Sequence, residues 1–297
     1  GAGGGGGPGA GAALAARLGR GRWRLGHAGG LPLRIARGLE AAVGEVAWED
    51  VGNALALARA VKSDEEMERI RIAVRLTDRS VEALFEAMRP GVRERDLVRA
   101  LEETYLAEGG YAGIHFLSSM PMDAPAARVP SQYPAERPLS VGDVVIGEYT
   151  GCWWGASSQV HRTFSLGREP DREWRALHEM AVAAYDAVVA TLRDGSAAGE
   201  AIAAADLVAE AGFTLCDDLL HGVDQLPPVL RSRQTAHGPQ PEGFVFRRGM
   251  VVTVQPNVVH PSRPMGLQFG ETVRIGSDGA ERLSTLPRAW RVRPLGV

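Results

Sequence analysis

The sequence predicts an α+β protein in which helices cover a curved antiparallel sheet. Two observations predict this class: four segments have the periodicity and end signals of helices, and short apolar runs bounded by turn residues lie between them as strands. The helices are predicted at residues 63–88, 95–108, 172–192 and 197–211, and the strands near residues 115, 145, 162, 218, 253 and 272. At 297 residues, one large domain and part of a second one are expected.

The first 58 residues are predicted to form the smaller part. Residues 1–12 are rich in glycine and cannot bury apolar surface, so they are expected to be a flexible tail. Residues 13–58 predict a small α/β unit, and residues 59–297 the large domain. The elements of the small unit are a helix at 13–18, a strand at 22–25, an amphipathic helix at 31–43 and a strand at 46–48.

The long helix at residues 63–88 opens the large domain. Asp64 and Glu65 lie in its first turn, where negative charge interacts favourably with the helix dipole. Pro90 and Gly91 follow it and end it. Glycines also close the other three predicted helices, at positions 109–110, 195 and 212.

The most informative segment is a predicted hairpin at residues 142–167. Its parts are a buried strand at 144–146, a turn of small and aromatic residues at 150–156 and a return strand at 160–166. This pairing places Glu148 near Gln159, and the period of two puts Gln159, His161 and Thr163 on one face. Burying polar side chains inside a sheet costs free energy unless they are hydrogen-bonded or take part in function, so this face is the candidate site.

Five segments in order resemble the motifs of the pita-bread (peptidase M24) family, which includes creatinase, prolidase, aminopeptidase P and methionine aminopeptidase. These segments are RAVKSDEE (59–66), RTFSLG (162–167), HGV (221–223), RGMVVTVQP (248–256) and ETV with its following turn DG (271–279). The resemblance covers about residues 55–283 and implies the pita-bread fold. It also implies that residues 13–58 are the last part of the N-terminal domain found in creatinase and prolidase.

The same resemblance locates the metal positions of the family. In metal-dependent members two aspartates, a histidine and two glutamates hold two divalent cations, and these positions fall here on Glu148, Gln159, His221, Gln255 and Gly270. A single carboxylate leaves most of the charge of two cations uncompensated. Glu271 does not replace Gly270, because a shift of one residue along a strand turns the side chain to the other face. We therefore expect no metal and no other cofactor.

Creatinase implies by resemblance that this fold can hydrolyse C–N bonds of small molecules with side chains alone. On this interpretation His161 and His221 supply acid–base capacity, and Glu148 orients or accepts a proton. Gln159 and Gln255 bind the substrate through amide hydrogen bonds. The sequence thus predicts a metal-independent, creatinase-like hydrolase.

Other site residues follow from position. Trp153 at the hairpin tip is expected to stack on the substrate or to cover a domain contact. Ser131 lies where the family has a substrate-aligning histidine, and no histidine occurs between His115 and His161. Arg162 is expected to be an internal salt-bridge partner.

Two alternative functions remain open. In the first, the chain is a non-catalytic pita-bread pseudoenzyme that serves as a binding module. In the second, it is a divergent metallopeptidase of the Xaa-Pro type, with one metal ion held by Glu148, His161 and His221. The two differ in whether any substrate is turned over and in whether a metal is bound.

Composition narrows the range of partners. The formal net charge of −3 shows no basic footprint, so we expect no nucleic-acid partner. Apolar runs are too short to span a bilayer, so we expect no membrane partner either. Cys152 and Cys216 lie far apart in the sequence and are expected to be free thiols in a reducing cytoplasm. The resemblance implies a homodimer and a small-molecule substrate.

Overall fold

In the computed structural model, residues 8–223 and 226–296 are described. They form two units, the first ending at Arg59 and the second beginning at Ala60, one residue beyond the predicted boundary. Residues 1–7 of the predicted tail lie outside the described residues. Among those described, no helix combines the length and the apolar composition needed to cross a lipid bilayer.

The first unit is a βαβ arrangement flanked by helices. Its elements are α1 (Pro8–Leu18), β1 (Gly21–His27), α2 (Leu33–Val43), β2 (Gly44–Asp50) and α3 (Gly52–Ala60). Strands β1 and β2 pair in parallel, and α2 between them buries Ala36, Leu39 and Val43. Helix α1 begins five residues earlier than predicted. Helix α3 was missed, although its alanine- and leucine-rich sequence has high helix propensity.

Helices of the second unit follow the sequence signals closely. They are α4 (Asp64–Ala87), α5 (Glu94–Leu106), α6 (Arg172–Thr191), α7 (Ala198–Ala204) and α8 (Leu207–Glu210). Helix α4 starts at a capping box, in which Ser63 Oγ accepts from Glu66 N at 3.2 Å and the Glu66 carboxylate accepts from Ser63 N at 2.8 Å. The helix predicted at 197–211 is two helices, because the N–H groups of Ala205 and Asp206 bond to the carbonyl oxygens three residues back and form a turn between them.

The described strands of the second unit form one large sheet and one small one. They are β3 (Tyr111–Pro121), β4 (Asp143–Trp153), β5 (Ala156–Leu166), β6 (Thr214–Cys216), β7 (Leu220–Gly222), β8 (Leu226–Leu230), β9 (Val251–Val254), β10 (Asn257–Val259), β11 (Gly270–Ile275), β12 (Ala280–Arg282) and β13 (Arg291–Arg293). The large sheet has the order β3-β4-β5-β11-β9-β7-β8, with β12 beside β11 and β13 beside β5; β10 pairs with β6. Apart from β13, these pairings are antiparallel, so the predicted α+β class and curved sheet are confirmed.

The hairpin of β4 and β5 is longer than predicted. The strands continue to Trp153 and from Ala156, so the turn contains only Trp154 and Gly155 and the prediction of a turn at 150–156 was wrong. Both turn residues have positive φ, 46° and 80°, which matches the twist of the flanking strands. The small and aromatic residues before them extend the strand because their side chains pack at the sheet: Tyr149 is fully buried and Cys152 nearly so.

The two faces of β4 have different surroundings. Val145 and Tyr149 pack into a core with side chains of α4 and α5. Val144 and Ile146 belong to a second core that includes α6 and α7. Because successive side chains alternate, Glu148 projects on the same face as Val144 and Ile146. This face carries the candidate site.

Candidate functional site

A row of three residues crosses the centre of the large sheet. Glu148 on β4 lies opposite His161 on β5, and His161 lies opposite Gly270 on β11. The predicted neighbour of Glu148 was Gln159, which instead lies opposite Thr150. The longer strands shift the pairing, so Gln159 is a diagonal neighbour and remains half-buried.

Glu148 and His161 form the central contact of the site. Glu148 Oε1 lies 3.6 Å from His161 Nδ1, and Gln268 Oε1 lies 3.2 Å from the same nitrogen. An amide oxygen only accepts hydrogen bonds, so Nδ1 carries the proton and donates it to Gln268. The other ring nitrogen, Nε2, is buried and has no hydrogen-bond partner among the described residues. His161 therefore presents a free lone pair.

Burial sets the protonation of this pair. It raises the pKa of Glu148 to about 8, with a smaller contribution from the charge of Asp217. It lowers the pKa of His161 to about 3, opposed by the hydrogen bond that the ring donates to Gln268 and, to a smaller extent, by the Gln255 amide. At neutral pH the contact therefore joins a carboxylic acid to a neutral imidazole, although its geometry would also suit an ion pair.

His221 on β7 is held more tightly than His161. Its Nδ1 lies 2.9 Å from the carbonyl oxygen of Gly222, so this nitrogen donates. Its Nε2 lies 3.1 Å from the side-chain oxygen, Oε1, of Gln255. Both nitrogens of His221 thus have a partner, so of these two histidines His161 is the one with an unpartnered nitrogen among the described residues.

Two predicted substrate-binding residues lie away from this cluster. Trp153 packs on the α4 and α5 side of β4, the face opposite Glu148. The carbonyl oxygen of Ser131 accepts from Leu117 N at 2.9 Å, so Ser131 lies beyond β3, about 10 Å from β4. Its hydroxyl donates to the carbonyl of Tyr133. Neither residue is brought together with Glu148 and His161.

Two buried amides belong to the cluster but were not predicted. Gln268 holds the His161 ring, and its backbone N–H donates to Thr163 Oγ1 at 3.0 Å. Asn257 follows Gln255 by two residues and is fully buried beside β11. A sequence signal for both amides was present. Side chains two residues apart on an extended chain project on the same face, so Asn257 is expected on the face of Gln255 and Gln268 on the face of Gly270.

The residues at the family's metal positions do not fit two divalent cations. Gln159 and Gln255 are neutral amides, and Gly270 has no space for a side chain: a Cβ there would lie 2.5 Å from the carbonyl oxygen of Val254. Glu271 is fully buried and accepts hydrogen bonds from Arg162 on the other side. Among residues 8–223 and 226–296, no group of three His, Cys, Asp or Glu side chains could hold a metal together.

Comparison with known proteins identifies a matching protein family and related dipeptidases. Residues 68–277 match metallopeptidase family M24. An Xaa-Pro dipeptidase of Pyrococcus furiosus is 26% identical over 233 residues, which are 77% of this chain and 64% of that protein. The probable dipeptidase PepE of Mycobacterium tuberculosis is 27% identical over 245 residues, 80% of this chain and 62% of that protein. The chain thus spans less than two thirds of the length of these relatives.

Solved structures show the same fold. The prolidase from Pyrococcus horikoshii superposes with a TM-score of 0.78 at 23% identity, and covers 93% of this chain and 78% of its own. The X-Pro aminopeptidase from Thermotoga maritima superposes with a TM-score of 0.76 at 22% identity, and covers 88% of this chain and 73% of its own. The pita-bread fold expected from the sequence motifs is confirmed.

Proposed function

The chain belongs to metallopeptidase family M24, and we propose that it hydrolyses a C–N bond in dipeptide-sized amides by side-chain acid–base catalysis. The observation that carries the proposal is the Glu148–His161 contact: the buried acid lies beside Nδ1 of the ring, and Nε2 of the same ring has a lone pair without a partner among the described residues. The relatives named as Xaa-Pro dipeptidase and dipeptidase support a small amide as the substrate. The altered donor set favours chemistry without two metal ions.

Hydrolysis in this site requires one base and one acid. His161 Nε2 accepts a proton from water while the water oxygen adds to the carbonyl carbon. Glu148 donates its proton to the leaving nitrogen as the C–N bond breaks, which yields a carboxylic acid and an amine. The imidazolium then gives its proton to the amine. The product acid returns a proton to Glu148, whose raised pKa of about 8 makes it the stronger base.

The remaining polar residues have supporting roles in this proposal. Gln255 is oriented by His221 and is placed to hydrogen-bond the substrate. Gln159, at the diagonal position, is the most exposed member of the set and would contact the part of the substrate nearest to solvent. The proposal also retains a homodimer in the cytoplasm as the form in which the chain acts.

The test is turnover by metal-depleted protein. The purified chain is treated with EDTA, its metal content is measured by elemental analysis, and Gly-Pro, Ala-Pro and non-proline dipeptides are assayed with and without Mn²⁺, Co²⁺ and Zn²⁺. We expect cleavage without metal that is abolished by His161→Gln. Cleavage that appears only with added metal, or that survives His161→Gln unchanged, would overturn the proposal.

A binding module is the second candidate. The observation in its favour is the altered donor set: neutral amides stand at positions 159 and 255, and Gly270 has no space for a side chain. On this alternative the wild-type chain binds a dipeptide saturably, and the product concentration stays at the background of uncatalysed hydrolysis. Calorimetric titration with Gly-Pro, followed by product analysis of the same sample, separates the two functions.

A further inference from the structure

Asn257 and Gln268 form a cross-strand pair of buried amides. Val259 forms an antiparallel bridge with Gly266, and Leu267 N donates to the carbonyl oxygen of Val258 at 2.8 Å. In this register the next pair is Asn257 opposite Gln268. Side chains directly opposite each other in an antiparallel ladder share a face, with Cβ atoms about 5 Å apart. Both side chains are fully buried.

The oxygen atoms of both amides are already used. Asn257 Oδ1 accepts from Phe269 N at 3.4 Å, and a backbone N–H can only donate, which fixes the orientation of this amide. Gln268 Oε1 accepts from His161 Nδ1 at 3.2 Å. The two NH₂ groups, Nδ2 of Asn257 and Nε2 of Gln268, have no hydrogen-bond partner among the described residues. The pair thus presents donors and no acceptors.

Two unpaired donors in a buried site require an explanation. Buried polar groups in folded proteins are hydrogen-bonded in the great majority of cases, and each exception calls for an explanation, such as strain, a bound water or ion, or a catalytic role. Gln268 contacts the His161 ring directly, so its NH₂ group lies on the face that carries the acid–base pair. Asn257 shares that face through the register. The two NH₂ groups therefore lie on the same face as Glu148 and His161, the groups that would act on a substrate carbonyl.

We propose that the NH₂ groups of Gln268 and Asn257 bind the oxyanion that forms when water adds to the substrate carbonyl. This inference rests on the proposed hydrolase function and adds two catalytic residues to it. Addition of water converts the carbonyl oxygen into an anion, and donors fixed in advance stabilise this charge more than they stabilise the neutral carbonyl. In metal-dependent relatives, bound cations can stabilise the charge of the oxyanion. Here Gln159, Gln255 and Gly270 stand at metal positions and do not fit two cations, so the two NH₂ groups take over this stabilisation.

The test uses a phosphinic analogue of Gly-Pro, whose tetrahedral PO₂⁻ group mimics the oxyanion. Binding to the full chain is measured by isothermal titration calorimetry for wild type, Asn257→Asp and Gln268→Glu at pH 8. These variants keep the accepting oxygen and replace the donating NH₂ by oxygen. We expect each to bind the phosphinate about 100-fold more weakly, while the affinity for Gly-Pro changes less than about threefold. Asn257→Leu and Gln268→Met, checked for folding by circular dichroism, should show the same loss.

Tyr185→Phe is the matched control. The hydroxyl of Tyr185 is also buried without a hydrogen-bond partner among the described residues, but it lies on α6, in the core with Phe269. Its removal should leave phosphinate binding unchanged. If Asn257→Asp and Gln268→Glu bind the phosphinate as wild type does, the oxyanion site is wrong even when Gly-Pro is hydrolysed. If wild type binds the phosphinate tightly and the variants do not, the site stands even where turnover of Gly-Pro fails and the hydrolase proposal falls.

Discussion

Two buried carboxylates, one residue apart in register, behave in opposite ways. Glu148 lies in the row with His161 and Gly270, and Glu271 follows directly after Gly270 on the other face of β11. Glu148 faces a neutral imidazole, whereas Glu271 accepts hydrogen bonds from the guanidinium groups of Arg162 and Arg282. The prediction of Arg162 as an internal salt-bridge partner is confirmed.

The difference teaches that burial alone does not decide the charge of a buried acid, because the partners of the carboxylate can offset it. Both carboxylates are at most 7% exposed. The guanidinium groups of Arg162 and Arg282 compensate the charge of Glu271. These three residues form a structural ion cluster on that side of the sheet. Glu148 instead faces the neutral ring of His161, so burial raises its pKa to about 8 and leaves a proton available for chemistry.

The largest effect is expected when the ion cluster is broken. Arg162 also donates to the backbone oxygens of His161 and Gly270 and lies over the Phe269 ring. Arg162→Leu leaves Glu271 with Arg282 only, whose side chain is one third exposed, and should lower the free energy of unfolding by about 3–5 kcal/mol, measured by urea denaturation. The double variant Arg162→Leu/Glu271→Leu should recover much of this loss. A single-variant loss below about 1 kcal/mol would contradict the view of Glu271 as a structural ion.

Glu148→Gln should instead affect activity and spare stability. An amide has the shape of the neutral acid but no proton to give to a leaving nitrogen, so kcat/KM should fall about 100-fold. The Tm should stay equal to wild type or rise, because a buried acid at neutral pH is replaced by a neutral group. Glu271→Gln is the control and should lower the Tm. Full activity of Glu148→Gln would remove Glu148 from the mechanism.

The dependence of stability on pH should distinguish the two carboxylates. The folded pKa of Glu148, about 8, lies above its ordinary value of 4.5, so its stabilising contribution is lost as pH rises through this range. His161, with its pKa lowered to about 3, contributes a change only below its ordinary value of 6.5. From pH 6.5 to 8, wild type should therefore lose about 2 kcal/mol relative to Glu148→Gln. Parallel urea-denaturation curves for the two proteins across this range would show that the pKa is not raised.

The smallest effect is expected at the rim of the ion cluster. Arg282 donates to Glu271 Oε1 at 2.7 Å, and its side chain is one third exposed. Arg282→Gln should lower the free energy of unfolding by about 1 kcal/mol, because Arg162 still compensates the charge of Glu271. Denaturant unfolding in low and high salt checks this value. A loss as large as that of Arg162→Leu would show that the two arginines act as one unit.

Much of the fold could be predicted because its signals are local. The capping box at Ser63, the acidic first turn of α4 and the glycines that end helices are short-range features, and the helices begin and end close to the predicted residues. The motifs also sufficed for the family. The turn of the β4–β5 hairpin was placed wrongly, because the aromatic residues before it fit either a strand or a loop until their packing is known.

The candidate site was predictable only in part. Alternation along β5 identified His161, and the motifs identified Glu148, His221 and Gln255, all of which the structure brings into one cluster or its edge. Trp153 and Ser131 were assigned by position in the family pattern and lie elsewhere. The interpretation of residues 13–58 as part of a creatinase-type N-terminal domain stays a prediction, as do the dimer and the location in the cell.

The sequence by itself determined the elements, the family and the loss of carboxylates at its metal positions, because each of these depends on residue type and local spacing. Only the tertiary structure decided that Glu148 faces His161 and not Gln159, and that Asn257 and Gln268 share a face. It also decided that, within residues 8–223 and 226–296, one nitrogen of His161 has no partner while both nitrogens of His221 have one. These facts depend on the register between strands and segments that are distant in the chain. Register is fixed by packing and hydrogen bonds across the whole sheet, which no local pattern contains.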